Sequence, residues 1–261
     1  MSVSIIAPYE VALASGLEFY PSSGSSLLSR LIGVPGAAAG IYPLDNNVLD
    51  FSSNGRNGTN VGTTFSTSIK KAGSHSGYFN GSGAYFYVPY DFGTSTNITV
   101  AIWLYPLALG KKVMGEATGT SQRLFITTHA DGRVYLYRGS YGLSTGALTA
   151  NAWNLLIIDN DGVTTHFFIN NSAAGTVAQT ISGTPASYTY IGKEDSSAPW
   201  YGYGDSVLFY ERILTAAERT QIWNNGDGVS SFASNSPAAT HKFSIPGATI
   251  DNVDACIDFL E

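Results

Sequence analysis

The sequence predicts an all-β protein: antiparallel strands closed into a sandwich or barrel, with one short helix near residues 215–225. Three observations lead there. Gly, Ser, Thr and Asn supply 98 of the 261 residues, a turn-rich composition. Aromatic residues reach 13%, mostly Tyr and Phe, while charged residues reach only 12%, about half the usual share of a soluble domain. Short apolar-alternating runs recur between turn residues. A helical bundle or coiled coil would need Ala, Leu, Glu and Lys instead, and wholesale disorder is excluded by the apolar surface, 44% of residues, that must be buried.

The elements follow in chain order. Residues 76–80 and 84–89 read as strands around Gly81-Ser82-Gly83. Residues 98–105 alternate, with Ile98, Val100, Ile102 and Leu104 on one face. Residues 123–128 and 133–138 flank His129-Ala130-Asp131-Gly132, a hairpin with an Asp-Gly corner. Residues 153–159 and 163–170 flank Asn160-Asp161-Gly162, a second one. Further strands are expected at 187–192 and 203–211. Thr215-Ala216-Ala217-Glu218 is a capping box, in which Thr215 and Glu218 satisfy each other's backbone amides. Ile222 and Trp223 give that helix an apolar stripe, and Gly226 is placed to end it in the left-handed conformation.

Three zones divide the chain. Residues 1–40, rich in Ser, Gly and Ala, read as an N-terminal docking arm. Residues 41–228 carry the strand signals. Residues 229–261 read as a linker and C-terminal tail. No internal repeat of fixed period is present.

The order of pieces within 41–228 resembles a concanavalin A-like, laminin-G-like jelly roll. Four stretches carry the resemblance. The first is Tyr42-Pro43-Leu44-Asp45-Asn46 with Asp50 to Gly55. The second is Gly77 to Gly81, Tyr87-Val88-Pro89, and 98–103 with Pro106. The third is 153–171, with its tryptophan and Asp-Gly turn. The fourth and most specific is the strand 201–210, with Gly202, Gly204 and Asp205, running into Leu214-Thr215-Ala216-Ala217-Glu218. The resemblance implies an antiparallel jelly-roll sandwich. It also brings in lectins, glycoside hydrolases, receptor modules and accessory domains of bacteriophage tail, fibre and capsid proteins, since one fold hosts many functions.

Several functions are disfavoured by the residues themselves. The formal net charge is −6, and the only adjacent basic pairs are Lys70-Lys71 and Lys111-Lys112, too few for a phosphate-binding surface. Nucleic acid is therefore not an expected partner, nor is membrane insertion: the best uncharged run, 92–110, contains Pro106 and alternating polar residues. No basic stretch precedes the early apolar residues, since the first basic residue is Arg30; synthesis in the host cytoplasm without a signal peptide is expected. Cys256 has no partner for an internal disulfide and reads as a small buried hydrophobe.

Catalytic patterns are missing. Glycoside hydrolysis needs two carboxylates at a fixed separation. Glu-x-Asp-x-x-Glu and Glu-x-Asp-x-Glu do not occur, and the neighbours Glu194 and Asp195 would point to opposite faces of a strand. Gly73-Ser74-His75-Ser76-Gly77 resembles a nucleophile elbow but centres on His75. His75, His129, His166 and His241 show no zinc-ligand spacing. The protein is expected not to be an enzyme.

Two oxygen-rich turns are candidate calcium sites. Asp50, Ser52 and Asn54 alternate as in the first half of a calcium loop, though its twelfth position is Val61. Asp159 and Asp161 form the other cluster. Asp and Asn are also common turn residues, the preferred reading, so no cofactor is required. Carbohydrate binding would use exposed aromatic faces. The candidates are Trp200, Tyr201 and Tyr203, in a Pro- and Gly-rich approach to the last strand, and Tyr135 and Tyr137, which share one face of theirs. The sequons at Asn57, Asn80, Asn97 and Asn170 read as chance in an Asn- and Thr-rich chain.

The expected function is a non-enzymatic bacteriophage virion protein. It would display the jelly roll on the particle surface as capsid decoration or as a tail or fibre component. Its partners would be other virion subunits and further copies of itself, in a homo-oligomer, with a host surface glycan as candidate ligand. The alternative is a carbohydrate-binding module or adhesin outside any virion, and behind that a glycoside hydrolase.

Overall fold

A computed structural model describes residues 34–91, 95–116, 124–179, 186–194 and 197–229, together with the strands at 243–245 and 248–250. The chain divides into two units, 32–234 and a second made of 1–31 and 235–261. In the first unit the strands are β1 (Gly40–Tyr42), β2 (Thr59–Val61), β3 (Thr64–Ser66), β4 (Ser76–Asn80), β5 (Tyr85–Val88), β6 (Ile98–Pro106), β7 (Lys112–Glu116) and β8 (Phe125–Thr128). They continue with β9 (Arg133–Tyr137), β10 (Tyr141–Ala147), β11 (Asn154–Asn160), β12 (Thr164–Ile169), β13 (Ser172–Ala178), β14 (Thr189–Ile191) and β15 (Tyr201–Tyr210). One helix, α1 (Ala216–Trp223), follows β15. In the second unit β16 (Phe243–Ile245) and β17 (Ala248–Ile250) form an antiparallel hairpin. The arms expected at 1–40 and 229–261, and Cys256, lie largely outside the described residues.

The strands form two antiparallel sheets. The eight-stranded sheet runs β13-β12-β11-β6-β15-β4-β3, with β1 also on β15; the seven-stranded sheet runs β10-β9-β8-β7-β14-β5-β2. The expected all-β sandwich with one short helix is what forms. Both Asp-Gly hairpins are present, as β8–β9 and β11–β12, with Gly132 and Gly162 at φ +87° and +93°, where a side chain would be strained. The strands on either side of Gly81-Ser82-Gly83 do not pair: β4 belongs to one sheet and β5 to the other.

Period-two alternation builds the core. Ile98, Val100, Ile102 and Leu104 of β6 face the other sheet and pack with Leu156 and Ile158, with Val207 and Phe209, and across the gap with Ile126, Leu136, Phe86 and Ile191. The opposite face of β6 is also buried. Ala101 and Trp103 join Leu155, Ile157, Leu208 and Tyr210 under Leu214, Ile222 and Trp223. Trp223 stacks on Trp103 with centroids 5.4 Å apart. Val34 to Ala38 belong to this layer too: Ala38 is buried in it, the Tyr210 hydroxyl donates to Pro35 O, and Arg212 Nη2 donates to Gly36 O. Residues 34–39, expected in the N-terminal arm, therefore pack as part of the first unit.

Local chemistry fixes the helix. Thr215 Oγ1 accepts from Glu218 N at 3.2 Å, and Glu218 Oε2 accepts from Thr215 N at 2.8 Å. Arg212 clamps the same carboxylate at 2.6 and 2.9 Å and holds its pKa down at about 2. The helix ends earlier than Gly226, at Asn224, which takes the left-handed conformation at φ 45°. Asn tolerates it because its short side chain finds a local bond, here to Gly228 O at 2.7 Å.

Asp205 sets a bulge in β15. The pairing with β6 shifts between Asp205 and Leu208, and Ser206 sits at φ +49°. The Asp205 carboxylate is buried and accepts from the amides of Lys71 and Ala72 and from the Ser206 hydroxyl. Burial outweighs these bonds and raises its pKa to about 7. A raised carboxyl pKa means the folded state holds a proton that the unfolded chain has released, so this group's contribution falls as pH rises from about 4 to about 7.

Two outcomes follow. Asp205→Asn keeps the acceptor for the two amides, so its unfolding free energy should fall less than the wild type's between pH 4 and 7 in urea titrations. An identical slope would show that Asp205 ionises normally. Thr215→Ala should cost about 1 kcal/mol in the same titration at neutral pH.

Candidate functional site

Among the described residues, the outer face of the seven-stranded sheet carries mainly aromatic side chains, some exposed and some buried. Register places Tyr141, Tyr137, Phe125, Gly115, Tyr190, Tyr87 and Thr59 in one row across all seven strands. Tyr135 and Tyr85 lie one step along on the same face, and Tyr188 sits just ahead of β14. Tyr141 is 64% exposed and Tyr188 40%, while Tyr85, Tyr87, Tyr135, Tyr137 and Tyr190 are half-buried and Phe125 is buried.

The row resolves into two banks. In one, Phe125 stacks on Tyr137 with centroids 5.0 Å apart and planes 11° apart, and Tyr141 meets Tyr137 edge-on at 5.0 Å. In the other, Tyr190 meets Tyr85 at 5.6 Å and Tyr87 at 5.8 Å, and Tyr188 meets Tyr87 at 5.1 Å. Gly115 separates them. Phe125 and Tyr190 are its two neighbours in the row, so the banks stand about 10 Å apart at two strand spacings.

Glu194, itself buried, fills that gap over Gly115. A Cβ on residue 115 would fall 2.8 Å from Glu194 Cγ and 2.9 Å from Phe125 Cβ, so glycine is required by close approach. Lys112 Nζ holds Glu194 Oε2 at 2.8 Å. Burial raises the Tyr190 pKa, as do the neighbouring Tyr85, Tyr87 and Tyr188 side chains, so the Tyr190 phenol stays neutral at physiological pH. Flat apolar faces flanking a polar floor suit a ligand with one apolar and one hydroxylated aspect, which describes a sugar ring.

The family profile of the concanavalin A-like lectin/glucanase superfamily, in its laminin G form, matches residues 79–218, which span both banks. The chain belongs to this superfamily. No curated protein matches it in sequence. Solved structures share the superfamily fold at low identity. Domain 4 of a GH43 extracellular arabinanase from Geobacillus stearothermophilus, solved with arabinotriose, is 19% identical at TM-score 0.57, covering 70% of this chain and 96% of that one. The botulinum neurotoxin type G receptor-binding domain is 12% identical at TM-score 0.57, over 73% of this chain and 52% of that one. Trypanosoma rangeli sialidase with the inhibitor DANA is 14% identical at TM-score 0.57, over 76% and 34%. The chain thus spans about half of the neurotoxin domain and a third of the sialidase.

Within this superfamily domain the five aromatic candidates fall in three places. Tyr135 and Tyr137 lie on the open face described above. Trp200 does not reach a surface: it is 1% exposed, inside the core between the sheets, because residue 200 has the inward parity of Gly202 and Gly204. Tyr201 and Tyr203 have the outward parity of the other sheet. There Tyr203 packs on Tyr78 at 5.0 Å and Tyr105 at 5.9 Å, and Tyr105 on Trp153 at 5.6 Å. That row lies beside the helix-covered layer, on the opposite side of the sandwich.

The calcium candidates hold the chain's own donors. Asp50 accepts from the amides of Ile41, Ser52 and Arg56 and from the Ser52 hydroxyl. The Asn54 amide group donates to Ala38 O and Ala39 O. Asp161 accepts from the amides of Val163 and Thr164, which lower its pKa. Asp159 is buried against His166 Nδ1 at 2.7 Å, with its pKa raised by burial. The two clusters stabilise turns and a sheet–helix contact. Among the described residues, no group of three or more His, Cys, Asp or Glu side chains is placed to hold a metal.

The sequence reading missed Tyr85, Tyr87, Tyr141, Tyr188, Tyr190, Gly115 and Glu194. Their signal was present. Tyr-x-Tyr recurs at 85/87, 135/137 and 188/190, and each pair must share a strand face.

Gly115→Ala should displace Glu194 from Lys112 and lower stability by about 1–3 kcal/mol, as overpacking does. An unchanged urea midpoint would mean that the floor yields freely.

Proposed function

We propose that this domain is a non-catalytic carbohydrate-binding module that takes its glycan on the open face of the seven-stranded sheet. The observation that carries the reading is the cross-strand row in which two aromatic banks flank the Gly115–Glu194 floor. The arabinotriose complex of the arabinanase domain lends support from the same fold. The absence of catalysis is supported by the carboxylates at hand. Glu194 is tied to Lys112, and Asp131, at the β8–β9 turn, is closed off by Arg133 at 2.8 Å. Hydrolysis would need a free pair held about 5–10 Å apart.

The setting we attach to the module is the exposed surface of a bacteriophage virion, in contact with other virion subunits and further copies of itself. Its support is the low charge, the Thr- and Ser-rich strands and the motif order of the sequence.

A glycan array with the purified protein tests the reading. Saturable binding to a defined sugar is expected, unchanged by a calcium chelator. Tyr137→Ala and Tyr190→Ala should each weaken retention about tenfold, since stacked aromatics in a binding site commonly contribute 1–2 kcal/mol or more. Tyr203→Ala should leave retention intact. Retention lost in Tyr203→Ala and kept in the other two would move the site to the other sheet. Release of reducing sugar would make the domain an enzyme.

A further inference from the structure

Lys193 lies two residues beyond the end of β14, half-buried along one aromatic bank. Its ammonium sits 3.6 Å from the Tyr85 ring centroid and 4.6 Å from that of Tyr190. Other described cations of this face are engaged differently. Lys112 is held by Glu194 at 2.8 Å, and Arg133 by Asp131 at 2.8 Å, with His129 on the same carboxylate at 2.9 Å. Among the described residues no carboxylate pairs with Lys193.

A ring face attracts a cation through its quadrupole and holds the ammonium in place. It does not satisfy three N–H donors, which still point to solvent or to a ligand. Among the described residues the two ion pairs neutralise themselves, which leaves the Lys193 ammonium as the cation without a carboxylate at this bank. The chain as a whole carries −6, so it does not attract polyanions indiscriminately, and any preference for an anion must be local.

We infer that the glycan taken by this face is acidic, with a carboxylate or sulfate on the sugar seated at the Lys193 ammonium while the ring lies against Tyr190 and Tyr188. This rests on the carbohydrate-binding reading above and narrows its ligand class. The anion and the ammonium form a charge-assisted bond beside aromatic surface, where water competes less than in the open.

Affinity electrophoresis of the full chain tests it with three probes: polygalacturonate for the carboxylate, dextran sulfate for the sulfate, and a neutral galactan. Lys193→Met and Lys193→Arg are compared with the wild type, and all three must share an unfolding midpoint. At least one acidic probe should retard the wild type. Lys193→Met should weaken that binding about tenfold, the size of one hydrogen bond to a charged group, and Lys193→Arg should keep it. The acidic probe that is bound identifies the anion. Acidic binding unaffected in Lys193→Met overturns the inference. Galactan bound as tightly as the acidic probes also overturns it, while leaving the carbohydrate-binding reading intact. A folded wild type that binds none of the probes and no sugar on the array overturns both.

Discussion

Burial of β6 and β15 on both faces is the constraint on which the rest of the structure depends. Their inner face supplies the layer between the sheets, and their outer face must be covered as well. The helix covers it, with Ile222 and Trp223 lying over Ala101, Trp103 and Leu208. The capping box and the Arg212–Glu218 clamp are therefore more than local stabilisers, since they set where that cover starts. The bulge at Ser206 lets Asp205 anchor residues 71 and 72 while Leu208 and Tyr210 regain the outward parity that the helix needs. The strand β15 and the helix that follows it form one mechanical unit.

The helix covers one side of the sandwich, and among the described residues the outer face of the other sheet keeps Tyr141 and Tyr188 exposed. Strand alternation requires inward Phe86, Ile126, Leu136 and Ile191 there, and every alternate position is free for another use. This chain fills those positions with Tyr and Phe in register across the strands. Tyrosines at half-buried positions keep a hydroxyl toward water and an apolar ring toward a neighbour, so the face stays solvated while offering flat apolar surface. The gap at Gly115 gives it a shape, because a glycine between Phe125 and Tyr190 lowers the row by one side chain. The same gap admits the Lys112–Glu194 pair, which provides the polar part of the floor.

Local features were legible in the sequence, and long-range ones were not. The alternation of Ile98 to Leu104, the two Asp-Gly corners and the Thr215–Glu218 box each depend on a few adjacent residues, and each appears where the sequence put it. Trp200 was misplaced because its Pro- and Gly-rich surroundings suggest exposure. Strand parity alone sets it opposite Tyr201 and Tyr203. The bank of Tyr85, Tyr87 and Tyr190 needs β5 beside β14, about a hundred residues away in the chain. The Asp and Asn turns at 50–54 and 159–161 carry the right atoms for calcium, yet in the folded chain those oxygens accept from the turns' own amides and from His166. Sequence shows which atoms are available, whereas pairing decides what they hold.

Two aromatic rows on opposite sides of one sandwich make the choice of face the central claim, and ring-labelled tyrosine NMR tests it most directly. Titration with a glycan that the protein retains should shift the ring signals of Tyr85, Tyr87, Tyr137, Tyr141, Tyr188 and Tyr190. Those of Tyr78, Tyr105 and Tyr203 should stay in place. Shifts confined to the second set, with the first unmoved, would contradict the account and assign binding to the eight-stranded sheet.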